Sequence, residues 1–173
     1  MKKVTSTILI FALLMSVVSG LTGCKKYVLK DWYVDALNYY RDGVRSGFSD
    51  EPANFKVSSD LKVKTNNPGY MLYDLDGDGV DELLIGLIDN SAKTKFTSIV
   101  IYHSDLGPYC VFSGANGDYF YLCANGIIKQ EITSVRTNTP ELYYKFDSKN
   151  NSFTRIEGDG KYIPMKWDLT PFK

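Results

Sequence analysis

The sequence predicts an α+β domain, one helix packed on an antiparallel β-meander, and three observations carry that prediction. Between Asp31 and Val44, apolar residues recur at helical spacing. From Ser98 onward, short apolar and aromatic runs alternate with turn-forming residues. Between these regions lies "DLDGDGVDELLIG", Asp74 to Gly86, where five carboxylates occur within nine residues before the chain becomes continuously apolar.

The helix is read from Trp32, Ala36, Tyr40 and Val44, four apart, with Tyr33 and Leu37 beside them, which form one apolar stripe. Asp31 is the expected N-cap and Gly43 or Gly47 the expected stop. Residues 47–68 are polar, and Asn66-Asn67-Pro68-Gly69 is turn chemistry.

Asp74, Asp76 and Asp78 alternate, Gly79 follows at the sixth position and Glu82 at the ninth. Hard oxygen ligands at this spacing suit Ca²⁺, which takes about 6 to 8 oxygens and accepts a curled loop that aims side chains 1, 3 and 5 and the carbonyl of position 7 at one centre. Without a cation, the clustered carboxylates repel one another. The twelfth position is Ile85, where an EF-hand requires a bidentate Glu. The flanks "GYMLY" and "LLIGLI" read as short strands, so the unit is strand-loop-strand. The 13-residue stretch resembles the calcium loops of FG-GAP repeats, as in integrin alpha subunits and related bacterial proteins. That resemblance implies ligation by the Asp74, Asp76, Asp78 and Glu82 side chains and the Val80 carbonyl, one structural calcium, and a solvent-facing Asp81. The loop occurs once in a short chain, which excludes a propeller of such repeats.

After Ser98, "SIVIYH", "YCVF", "DYFYLCA", "IIKQEI", "ELYYKF" and "SFTRIE" are expected strands. Asn116-Gly117 and Asn125-Gly126 each predict a type I′ hairpin with positive φ at both central residues. A hairpin centred on the first would place Cys110 opposite Cys123 in a non-hydrogen-bonded pair. That geometry permits a disulfide worth roughly 3 kcal/mol in the chain-entropy model, the alternative being a reduced pair packed beside Phe112 and Tyr121.

Residues 1–23 have a signal-peptide layout: Lys2 and Lys3, an apolar core from Ile8 to Val18, then small residues. "LTGC" resembles the lipobox of bacterial lipoproteins, which implies acylation of Cys24, a tether over 24–30, a single globular domain over 31–173, and a place on the outer face of the bacterial cytoplasmic membrane. Removing residues 1–23 takes away two lysines and no acids, leaving two more acidic than basic residues, a balance that argues against nucleic acid as a partner. Export also permits disulfides.

Catalytic motifs are sparse. No nucleophile elbow, zinc pattern, P-loop or dinucleotide fingerprint occurs, and the only histidine, His103, is expected at a strand end as a surface or turn residue. Glu131, Glu141 and Glu157 leave open a glycosidase-type carboxylate pair. The whole pattern resembles small lipoproteins of Gram-positive bacteria with EF-hand-like or FG-GAP-like loops. The expected function is a non-catalytic binding or interaction module for a surface protein or glycan. The alternatives are an extracytoplasmic hydrolase of cell-wall or host glycans with structural calcium, and an accessory or inhibitory lipoprotein with one protein partner. Exposed Tyr and Trp clusters would mark a binding face, and packing within the sheet is the other use of so many aromatics.

Overall fold

A computed structural model describes residues 31–53, 55–88, 93–103, 109–114, 117–133, 140–158 and 162–172. The expected signal peptide, Cys24 and the expected tether lie outside the described residues. Among those described, no helix is long and apolar enough to cross a membrane.

Helix α1 spans Asp31–Ser46. Its buried stripe is Tyr33, Ala36, Leu37 and Tyr40, with Val44 half-buried. Trp32 lies on the helix, but its side chain falls outside the description. Asp31, expected as the flanking cap, already lies within the helix. Gly47, at φ +94°, ends the helix, its amide donating to the Gly43 carbonyl at 2.7 Å. That left-handed turn is one glycine enters without steric cost.

The strands are β1 (Gly69–Tyr73), β2 (Glu82–Ile88), β3 (Phe96–His103), β4 (Tyr109–Gly114), β5 (Tyr119–Leu122), β6 (Ile128–Glu131), β7 (Glu141–Asp147), β8 (Ser152–Ile156) and β9 (Thr170–Pro171). They form one open antiparallel sheet in the order β8-β7-β6-β5-β3-β2-β1-β9, with β4 also paired to β3. The domain is therefore α+β, a helix packed on an antiparallel meander. β1 and β2 form the strand-loop-strand unit, in register from Gly69↔Gly86 to Tyr73↔Glu82.

The unbroken apolar run of β2 reflects burial on both faces. Leu83, Ile85 and Leu87 pack with Val100 and Tyr102 beneath α1, Leu61 and Phe172. Leu84 points the other way, into a second core with Ile99, Ile101, Phe120, Ile128 and Phe146. A strand covered on one face alternates polar and apolar residues; one covered on both cannot. Beneath α1, the Tyr40 hydroxyl contacts the Tyr102 hydroxyl at 2.8 Å and donates to the Lys56 carbonyl at 2.5 Å. These bonds satisfy polar ends that would otherwise be costly to bury.

The Asn116-Gly117 hairpin does not form. β4 pairs with the C-terminal end of β3, from His103↔Tyr109 to Ile99↔Gly114, and β5 meets the other end at Phe96↔Phe120. The two strands thus run in line along one edge of β3. An eight-residue β3 offers pairing to both, and long-range pairing outweighs the local preference of one dipeptide. Asn125-Gly126 does turn the chain between β5 and β6, with φ of +60° and +67°.

The expected Cys110–Cys123 bridge is accordingly absent. Cys110 lies opposite Tyr102, Cys123 bridges to Pro164, and both thiols are free. Burial pushes each thiol pKa up to about 11, which suppresses the reactive thiolate at neutral pH. We predict that the chain from Lys25 onward takes up two alkyl groups when denatured without reductant. Uptake of none would restore the bridge.

Candidate metal site

The acidic loop is curled by its own carboxylates. Asp74 accepts the Gly77 amide on Oδ1 at 2.8 Å and the Gly79 amide on Oδ2 at 2.9 Å. Asp76 Oδ1 accepts from Asp78 at 3.3 Å, and Asp78 Oδ1 accepts from Val80 at 2.7 Å. Gly77 and Gly79 adopt φ of +83° and +90°, the bends this curl demands. Carboxylate oxygens of Asp74, Asp76 and Asp78 come within 4.8 Å of one another, the first two half-buried and the third exposed. This convergence of hard oxygens could chelate a divalent cation. Asp81, expected to face solvent, is half-buried.

Three distant elements hold the loop in place. Asp76 Oδ2 accepts the Ser148 amide at 3.0 Å, from the β7–β8 turn. Burial pulls the Asp76 carboxyl upward, but hydrogen bonds from Ser148 and the Asp78 amide outweigh it and leave the group below its ordinary pKa. From α1, the Tyr33 hydroxyl contacts the carbonyls of Asp81 at 2.8 Å and Tyr102 at 3.2 Å. From the β5–β6 turn, Gly126 packs so closely that a Cβ there would stand 1.7 Å from the Leu75 carbonyl oxygen. Gly126→Ala is therefore predicted to destabilise the fold by about 1–3 kcal/mol, the usual cost of overpacking, with positive φ as a further penalty. Urea unfolding checks it, and an unchanged midpoint would mean that the turn and the loop separate freely.

Glu82, expected as a ligand, lies elsewhere. At the start of β2 its side chain turns inward and is fully buried. Oε2 accepts the Leu75 amide at 2.8 Å, and Oε1 lies 2.8 Å from His103 Nδ1. His103 is also buried, contrary to the surface or turn position expected of it, with its ring 5.2 Å from that of Phe146. Burial raises the Glu82 pKa to about 7, opposed by the Leu75 amide and His103. The pair follows from register, since Leu83 lies opposite Tyr102 and the next position brings Glu82 to His103. No local motif signals it.

An open groove of about 650 Å³ runs between the loop and the β7–β8 turn, with Asp76 and Asp78 on one wall and Lys145, Lys149 and Thr154 on the other. A neighbouring hollow of about 490 Å³ shares Asp76, Gly77, Lys145 and Ile156. The loop is thus one wall of a recess.

The other carboxylates singled out in the sequence are placed apart from it. Glu131 and Glu141 face one another across β6 and β7, and Lys129 Nζ reaches them at 2.9 and 2.8 Å. Tyr121 and Tyr143 donate to their remaining oxygens at 2.7 and 2.5 Å. Hydrogen bonds from Lys129 and Tyr143 hold the Glu141 pKa below its ordinary value. A carboxyl so neutralised is poorly suited to act as a general acid. Glu157 lines a separate hollow with Arg155 and Glu141. Lys129→Met is predicted to cost about 1–3 kcal/mol at pH 7 by leaving two carboxylates facing each other without their cation. Because Lys129 depresses the Glu141 pKa, its contribution is present above the unfolded carboxyl pKa and fades as pH falls through the folded one. The deficit should therefore shrink in acid as Glu141 becomes protonated, and a deficit independent of pH would assign it to lost packing.

Among the described residues, the exposed large hydrophobics are Val34, Val63, Ile163 and Met165, none of them aromatic. The aromatics instead pack within the fold, as in the Phe112–Phe153 and Phe146–Phe153 contacts at 4.9 and 5.1 Å between ring centroids. No family model, curated protein or solved structure matches this chain.

Proposed function

We propose that this chain is an exported, lipid-anchored calcium-binding module that recognises a ligand rather than transforming one. The observation that carries the reading is the convergence of the Asp74, Asp76 and Asp78 carboxylates in a glycine-bent loop. The Val80 carbonyl, at the seventh position, is the natural fourth ligand. Carboxylate and carbonyl oxygens drawn from the protein itself favour Ca²⁺ over Mg²⁺, which demands near-ideal octahedral geometry and gives up its waters reluctantly. The recess lined by Lys145, Lys149 and Thr154 is the surface a surface-protein or glycan ligand would use.

Isothermal titration of the chain from Lys25 onward tests the metal reading, since that chain contains every element described. One calcium site with a Kd of about 10⁻⁴–10⁻³ M, the range of extracellular modules, and weaker magnesium binding are expected. No calcium heat and no bound calcium after dialysis would overturn it. The address is tested separately, by mass spectrometry of Cys24 in a bacterial host. Acylated Cys24 is expected, and an unmodified cysteine in the membrane fraction would reject the lipid anchor.

A further inference from the structure

We infer that Glu82 and His103 form a brace behind the loop that sets its affinity for calcium, with Glu82 a positioning residue and not a ligand. The inference rests on the calcium reading above and goes beyond it by assigning roles to two residues, one of them 21 positions away in sequence.

Both oxygens of Glu82 are committed, each at 2.8 Å, to the Leu75 amide and to His103 Nδ1. The carboxylates whose oxygens converge within 4.8 Å are Asp74, Asp76 and Asp78, whereas Glu82 turns its oxygens to these two donors at a place where the Glu82 and His103 side chains are 0% and 1% exposed. The amide that Glu82 holds belongs to the peptide joining Asp74 to Leu75, between the first two carboxylates of the cluster. The next peptide is held as well, where Gly126 packs on the Leu75 carbonyl. With the Leu75 side chain also buried, the directions in which Asp74 and Asp76 leave the backbone are set before any ion arrives. His103 holds Glu82 in this pose, with the Phe146 ring beside the imidazole. The work an EF-hand assigns to its twelfth residue is thus divided here: Asp74, Asp76, Asp78 and the Val80 carbonyl face the ion, while a buried pair fixes them from outside. Four protein groups leave a calcium ion positions for water or an incoming oxygen on the exposed Asp78 side, toward the recess.

Calcium titrations of wild type, His103→Phe, His103→Gln, Glu82→Gln and Asp78→Ala, with folding checked by circular dichroism, separate the outcomes. Loss of an outer partner commonly costs a metal site about 10–100-fold in affinity, so His103→Phe and Glu82→Gln should weaken binding by that factor. His103→Gln, which retains a side-chain donor, should recover part of the loss and serves if His103→Phe does not fold. Terbium luminescence lifetimes in H₂O and D₂O count the waters on the bound ion. That count should be unchanged in Glu82→Gln and raised in Asp78→Ala. An increase in Glu82→Gln would make Glu82 a ligand and overturn the inference, as would wild-type affinity in His103→Phe. If wild type itself binds neither ion, the calcium reading fails first and the brace with it.

Discussion

Calcium added to the EDTA-treated chain is expected to raise its thermal midpoint by about 5–11 °C at a hundredfold excess over Kd. A ligand bound only to the native state contributes about 2.7 kcal/mol at that excess, and a domain of this size converts each kcal/mol into about 2–4 °C. Magnesium should give a smaller rise. The double variant Asp76→Ala, Asp78→Ala should lose the calcium increment. It should also melt lower in EDTA, because Asp76 holds the Ser148 amide of the β7–β8 turn whether or not an ion is present. The increment is thus the informative quantity, not the absolute midpoint. No increment in wild type, with no calcium bound, would reduce the acidic loop to a solvated turn and return attention to the recess beside it.

Phe146→Ala should cost about 3–5 kcal/mol, a large share of a total stability of about 5–15 kcal/mol. Phe146 is 1% exposed, belongs to the second core, and has the rings of His103 and Phe153 at 5.2 and 5.1 Å. It therefore joins the β7–β8 hairpin to the centre of the sheet and backs the pair behind the loop. Urea unfolding provides the measurement, with Val34→Ala as a surface control expected to stay within about 0.5 kcal/mol. If Phe146→Ala behaved like Val34→Ala, the second core would not be a cooperative part of the fold.

The helix and the acidic hairpin are legible in the sequence because each is specified over a short span. Of the stripe that spacing predicts, Tyr33, Ala36, Leu37 and Tyr40 are buried and Val44 half-buried. The alternating aspartates curl their loop by accepting its own amides, with two glycines at the bends, while the contacts that hold it in place come from distant elements. What spacing cannot show is which strand meets which. Asn116-Gly117 and Asn125-Gly126 are identical dipeptides, yet only the second closes a hairpin, because β3 takes β4 and β5 end to end along one edge. That arrangement separates Cys110 from Cys123. The inward turn of Glu82 is equally non-local, since it depends on the β2–β3 register bringing His103 alongside. The abundance of aromatics is visible in the composition, but their use as core rungs emerges only once the second core is assembled.

The two ends of the open sheet bear on crowding. An uncovered edge strand is a template for pairing with another copy of the same chain. At one end, β9 contributes only Thr170 and Pro171, and proline has no amide to offer a newcomer. At the other, β8 exposes Ser152, Thr154 and Arg155, polar and charged groups of the kind that discourage a neighbour from docking dry against them. These two ends of the sheet therefore offer little to a neighbouring copy seeking to add a strand there.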